Sequence, residues 1–129
     1  MQEVLVYNQD HPEIAAIRAK YCQSFVCQLR GLTFRHSLPV EEGLLLVQKR
    51  DSRVDSSIHM LFVWMDLAVI WINQACRVVD ARLARRWHPI YVPGDPARFV
   101  LEIAAERIAD FHIGDRVEFR EIPDGKILH

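Results

Sequence analysis

Hydrophobic and polar positions alternate over short stretches of this chain and merge at one place into a nearly unbroken apolar run, Ile58 to Ile72 (IHMLFVWMDLAVIWI), interrupted only by His59 and Asp66. A bilayer-spanning helix needs about 20 apolar residues. This run is shorter and carries an aspartate at its middle, so it reads as part of a globular core. Its β-branched and aromatic content, including Ile58, Phe62, Val63, Trp64, Val69, Ile70, Trp71 and Ile72, favours buried strand over buried helix. The pattern predicts two core strands hinged near Met65 and Asp66, with Trp64 and Trp71 not both exposed.

Shorter signals surround that run. Residues 4–7 suggest a strand, and residues 14–22 a second, because Ile17, Ala19 and Tyr21 alternate with Arg18 and Lys20. Ile14, Ile17 and Tyr21 would also suit a helix; strand is preferred. Ser24 can cap a short helix in which Phe25, Leu29 and Leu32 share a face, with Gly31 where a helix often ends at positive φ. Gly43 to Val47 (GLLLV) reads as a buried strand, followed by a charged, solvated loop, QKRDSRVDSS. After a turn at Asn73 and Gln74, Val78, Val79 and Leu83 predict a strand that emerges into Arg82, Arg85 and Arg86 and then the proline-bearing loop WHPIYVPGDP. A strand at Phe99 to Ile103, a short helix over AAERIADF and a last strand at Arg116 to Glu121, introduced by Ile113-Gly114-Asp115, complete the pattern. Pro123-Asp124-Gly125 turns the tail, residues 122–129.

These elements predict an α+β fold dominated by β-structure: a strongly bent, mainly antiparallel sheet or small barrel with one or two short helices. A doubly wound parallel architecture lacks its crossover helices. No linker or repeat divides the chain, so residues 1–129 are expected to form a single domain.

Composition adds exclusions. With 50% hydrophobic and 26% charged residues the chain has the material for a core. A net charge of -1 gives no overall attraction to nucleic acid or an anionic membrane. Cys22, Cys27 and Cys76 are odd in number and form no CxxC pair, so buried free thiols are expected. The N-terminus lacks a basic start followed by a sustained apolar segment. Together these features point to the reducing cytoplasm.

In order along the chain, RGLTFR (Arg30 to Arg35), GLLLV, IHM with the aspartate at Asp66, VVD (Val78 to Asp80), PARFVLEI (Pro96 to Ile103) and IGDRV resemble the domain-of-unknown-function 192 family over roughly residues 15–119. The resemblance implies a compact β-rich domain with no established biochemical activity. The chain departs from the commoner family pattern, in which a tryptophan-methionine pair is followed by lysine-asparagine and the aspartate is preceded by a proline-leucine step. Here Leu61-Phe62 follow His59-Met60, and Met65 precedes Asp66.

The candidate chemistry lies in polar residues with apolar neighbours. Asp66 and Glu102 stand between hydrophobic residues in predicted strands, and a buried carboxylate must find a cation, hydrogen-bond donors or a proton. Arg30 and Arg35 are plausible partners. Converging in one cleft with His59, these groups would suit acid-base catalysis or an anionic ligand. The structural reading, in which at least one carboxylate pairs with Arg30 or Arg35 to pin the fold, is the stronger. His59 alone is more simply a hydrogen-bonded packing residue. His11, His36, His59, His88, His112 and the cysteines show no metal-ligand spacing, and no metal or cofactor is assigned.

Arg77, Arg82, Arg85 and Arg86 followed by Trp87 would grip phosphates and stack a base, or equally would protect a strand edge from pairing. The edge reading is favoured. The expected function is a small noncatalytic module that binds a small ligand or a protein partner, with no nucleic acid and no membrane. Its alternatives are a small acid-base, hydrolase-like enzyme using His59, Asp66 and Glu102, and a nucleic-acid accessory protein using Arg82, Arg85 and Arg86.

Overall fold

In the computed structural model, which describes residues 2–24, 27–28, 31–32 and 36–122, seven strands form one mixed sheet. They are β1 (Glu3–Asn8), β2 (Ile17–Cys22), β3 (Glu42–Ser52), β4 (Leu67–Ile72), β5 (Val78–Ala84), β6 (Ala97–Ala104) and β7 (Val117–Ile122), and a short 3-10 helix spans Ala105–Asp110. Their order across the sheet is β5-β4-β6-β3-β2-β1-β7, antiparallel except for the parallel pair β2 and β3. The edges approach at one corner, where Arg77 and Arg116 form a bridge and the Val78 amide donates to the Asp115 carbonyl at 2.9 Å. The sheet stays open rather than closing into a barrel.

Alternation of side chains along each strand divides the core between the two faces. Val6, Ile17, Leu45, Ile70, Leu101 and Ile103 pack on one face together with Phe111, just past the 3-10 helix. Leu44, Leu46, Val69, Trp71 and Val100 pack on the other, beneath the irregular segments that carry Leu32, Ile58, Met60 and Val63. β4 is buried at all six positions, which explains why its sequence, LAVIWI, shows no period of two. β2 is covered on one side only, and there the alternation of Ile17 and Ala19 with Arg18 and Lys20 survives.

The Ile58–Ile72 run departs from its expected form, since only Leu67–Ile72 is strand. Ile58 makes an isolated bridge with Tyr91, and residues 59–66 turn across the sheet face. Ile58, Met60 and Val63 are buried, whereas Leu61, Phe62 and Trp64 face outward, so apolar character here does not mark a second core strand. Trp71 is fully buried, and its indole Nε1 donates to the Ser56 carbonyl at 2.8 Å. The expected loop 48–57 is also shorter than its charge suggests. β3 runs to Ser52, which pairs with Ala97 after a register shift beyond Val47, and Lys49, Arg50 and Asp51 lie exposed in the bulged stretch between the two pairings.

The cysteine expectation is overturned: Cys22 and Cys27 form a disulfide, and only Cys76 is free. β2 ends at Cys22 and the chain reverses at once through a helical turn. The Ser24 hydroxyl accepts the Cys27 amide at 3.1 Å, and Gly31, at φ 48°, closes the turn by donating to the Cys27 carbonyl at 2.8 Å. That reversal brings the two cysteine Cα atoms to 5.7 Å, within disulfide reach. Phe25 and Leu29 of the expected helix, and the Pro123-Asp124-Gly125 turn and tail, lie outside the described residues.

Candidate functional site

Glu102 is the buried acid of the central strand. It lies in β6 between β3 and β4, opposite Leu44 on one side and Val69 on the other, and faces the same side as Val100. Apolar side chains thus surround its carboxyl laterally. Above it is a cavity of about 60 Å³, whose walls include Leu46, Leu67, Met60, His59, Gln28 and Gln48. That volume admits a few water-sized groups. Burial pushes the Glu102 carboxyl up to about 7, because removal from water penalises the anion, and among the described residues no cation pairs with it. Near neutral pH the group therefore alternates between a proton donor and an anionic acceptor.

The opposite wall is built by the segments that cross this face. His59 is half-buried, and its Nδ1 is sealed from solvent without a hydrogen-bond partner among the described residues. Its position is fixed by its neighbours: Ile58 exchanges backbone hydrogen bonds with Tyr91, and the Met60 amide donates to the His88 carbonyl at 3.0 Å. Gln28 follows directly on the disulfide. Its Nε2 donates to the Val47 carbonyl at 2.8 Å and its Oε1 accepts from Gln48 Nε2 at 3.0 Å, which ties the helical turn to β3.

The expected polar cluster is only partly brought together. His59 and Glu102 line one cavity, but Asp66 does not. Asp66 precedes β4, and its Oδ1 accepts the Arg86 backbone amide at 2.9 Å and the Arg86 Nε at 3.2 Å. The backbone hydrogen bond and the guanidinium of Arg86 hold this carboxyl below the usual range. Its partner among the described residues is Arg86; the expected partners, Arg30 and Arg35, lie outside the described residues.

The basic cluster is distributed along an edge strand and the loop beyond it. Arg82 binds Asp80 at 2.8 Å and Arg86 binds Asp66, while Arg77 donates to the Gly114 carbonyl at 3.1 Å. The Arg85 backbone amide donates to the Tyr91 hydroxyl at 2.8 Å. Asp80 also accepts the Gly94 amide at 2.8 Å, which anchors the proline-bearing loop to β5.

Next to this loop stands an aromatic group for which the sequence carries no distinctive signal. Phe62, Trp64 and Trp87 are 47%, 43% and 39% exposed yet pack on one another, with ring centroids 5.0 Å apart for Phe62–Trp87 and for Trp64–Trp87. Phe62 and Trp87 have φ of 61° and 65°, a conformation that costs a bulky side chain about 1–3 kcal/mol. Their placement follows from three-dimensional packing between segments 25 residues apart in sequence, which no local pattern encodes.

Comparison with known proteins matches this geometry to a family. The DUF192 family model, described as "Uncharacterized ACR", matches residues 6–119. A UPF0127 protein of Thermococcus gammatolerans is 32% identical over 117 residues, covering 89% of this chain and 74% of its own length. The UPF0127 protein of Pyrococcus furiosus is 30% identical over 108 residues, covering 82% and 90%. Among solved structures, a protein of unknown function from Novosphingobium aromaticivorans superposes with a TM-score of 0.76 at 24% identity, covering 90% of this chain and 83% of that one. A likeness at that identity shows the shared fold.

Proposed function

Because the chain belongs to the DUF192 family, whose members here carry no assigned activity, we propose its function from geometry: a noncatalytic module that binds a small polar ligand in the cavity over Glu102. The observation that carries this reading is a carboxyl opening into a small cavity and surrounded laterally by apolar strands, with a sealed imidazole nitrogen in the facing wall. A protonated Glu102 supplies one donor and one acceptor, and a ligand that satisfied both would recover hydrogen bonds that burial denies. The acid-base alternative needs Asp66 beside these groups, and Asp66 is engaged with Arg86 outside the cavity wall. The exposed aromatic group at Phe62, Trp64 and Trp87 supports a protein partner as the second reading. Nucleic acid is disfavoured, since Arg82 and Arg86 already answer Asp80 and Asp66.

No helix among the described residues is long and apolar enough to cross a membrane. The cytoplasmic reading rested on unpaired thiols and turns on the Cys22–Cys27 bond, which persists in oxidising compartments. Acid quenching of intact cells followed by alkylation under denaturing conditions decides it: three labelled cysteines support the cytoplasm, and Cys76 alone supports an oxidising compartment.

The binding proposal is tested by following backbone NMR shifts of the full chain against a set of small amides, carboxylic acids and alcohols at pH 6 and 8. The expected result is a subset whose shifts centre on Leu46, His59 and Glu102 and weaken at least about tenfold in Glu102→Leu and His59→Phe. Shifts that centre elsewhere, or turnover of any bound compound, would overturn the noncatalytic cavity reading.

A further inference from the structure

At the corner where the sheet edges approach, two histidines 101 positions apart in sequence meet a buried aspartate. His11 lies in the connection after β1; His112 and Asp115 lie in the turn between the 3-10 helix and β7. One donor atom from each of the three falls within 4.8 Å of the others. His11 Nε2 is 3.7 Å from Asp115 Oδ1, and His112 Nδ1 is 3.7 Å from Asp115 Oδ2. We propose that His11, His112 and Asp115 form a binding site for a divalent first-row metal of the zinc class, with three protein ligands and an open coordination position toward solvent.

The donor set fits that chemistry. Two imidazoles and one carboxylate suit borderline ions such as Zn²⁺, Co²⁺ or Ni²⁺ and leave room for water or an exogenous ligand. Around a tetrahedral ion with bonds of about 2.0–2.1 Å, donors stand roughly 3.4 Å apart. The three donors already lie within 4.8 Å of one another, and rotation of the two solvent-accessible imidazoles is the movement that would bring them to that spacing.

The supporting contacts distinguish this group from a chance surface cluster. Asp115 is 8% exposed, and its Oδ2 accepts Asn8 Nδ2 at 2.8 Å and the His112 amide at 2.8 Å. Its orientation is therefore set, and Oδ1 remains directed at His11. Asn8 is itself fixed, since the same Nδ2 donates to the Asp110 carbonyl at 2.9 Å while its Oδ1 accepts the Asp10 amide at 3.0 Å. On the far side of the His11 ring, Nδ1 stands 3.8 Å from Glu13 Oε2. At that distance the carboxylate makes no hydrogen bond to the ring and supplies a nearby negative charge, which favours a bound cation. The neighbouring cation of Arg116 is directed to Asp10 at 3.1 Å and leaves Asp115 free of a competing guanidinium.

The test uses the full chain and Co²⁺ as probe, reading the visible ligand-field bands together with the imidazole NMR signals of His11 and His112. The expected result is one equivalent of Co²⁺, displaced by Zn²⁺, that broadens both imidazoles. His11→Ala and His112→Ala should each weaken binding at least tenfold, and Glu13→Gln, which removes only a nearby charge, should weaken it less than either. Both histidines are solvent-accessible, so circular dichroism of the variants should match that of the parent. Absence of Co²⁺ binding to the parent overturns the proposal, as does binding that survives the double variant H11A/H112A, which would place the metal on other residues.

Discussion

Replacing Glu102 by glutamine should make the protein less sensitive to pH, in a direction fixed by the burial of that one carboxyl. In the unfolded chain its ordinary value is 4.5, and in the fold it rises to about 7. The folded state therefore holds a proton that the unfolded state releases between these values, and stability falls as pH rises through that window. The contribution is fully present below pH 4.5 and lost above about pH 7. Each pKa unit is worth about 1.4 kcal/mol, so the whole effect is about 3 kcal/mol, of which roughly 2–3 kcal/mol falls between pH 5 and pH 8. Glutamine is neutral throughout and removes this dependence while keeping the shape of the side chain. Urea unfolding followed by tryptophan fluorescence at pH 5 and pH 8 measures it, because buried Trp71 reports on the core. Taking parent minus variant cancels the contribution of every group the two proteins share. The parent should lose about 2–3 kcal/mol relative to Glu102→Gln on going from pH 5 to pH 8, a displacement of roughly 1–2 M in urea midpoint. No differential change would refute the desolvation argument. A change of opposite sign would show that the anion is the stabilised form and that a cation answers it, as the sequence-based pairing with Arg30 or Arg35 supposes.

Three further outcomes follow from the packing. Gly43→Ala should lower stability by about 1–3 kcal/mol in urea unfolding, since the added methyl would stand 2.9 Å from Ile103 Cγ2 and 3.0 Å from the Glu102 carbonyl oxygen. Reducing the Cys22–Cys27 bond with a thiol should lower the unfolding free energy by about 2 kcal/mol, the chain-entropy value for so short a loop, and in native-state hydrogen exchange should loosen Gln28 before β6. Asp66→Asn should cost about 1 kcal/mol or less at neutral pH by the same assay, because its ion pair with Arg86 is near the surface, and a loss of 3 kcal/mol or more would place the pair in the core.

The fold was legible wherever burial differs between the two sides of a strand or where both sides are buried over a short span. Ile17–Cys22 announced itself by alternation, and Gly43–Val47 by an apolar run of strand length. The same rule failed over Ile58–Asp66. A loop that covers a sheet face is as apolar as a strand, and in this segment the outward positions of Leu61, Phe62 and Trp64 are apolar too. Nothing in composition then separates the covering segment from the covered one. The parallel pairing of β2 with β3 was equally hidden, since neither strand's side chains differ from those of an antiparallel neighbour.

Of the residues around the cavity, Glu102 and His59 were named from the sequence and Gln28 was not, and only the setting of Glu102 could be read from strand neighbours. A strand residue's surroundings are set by its neighbours two positions away and by those directly across, so Glu102, with Val100 and Ala104 on its own face, already implies an apolar setting in the sequence; Leu44 and Val69 complete it from the adjacent strands. Desolvation follows from that lattice alone. The environment of a loop residue depends instead on which distant segment covers it. His59 and Gln28 reach the cavity because Ile58 bridges Tyr91 and because a disulfide turns the chain back over β3. His11, His112 and Asp115 meet only because β1 pairs with β7, with Asn8 opposite Val117. A cluster assembled from strand ends and turns is therefore invisible in local spacing, because only the register of β1 on β7 brings those turns together.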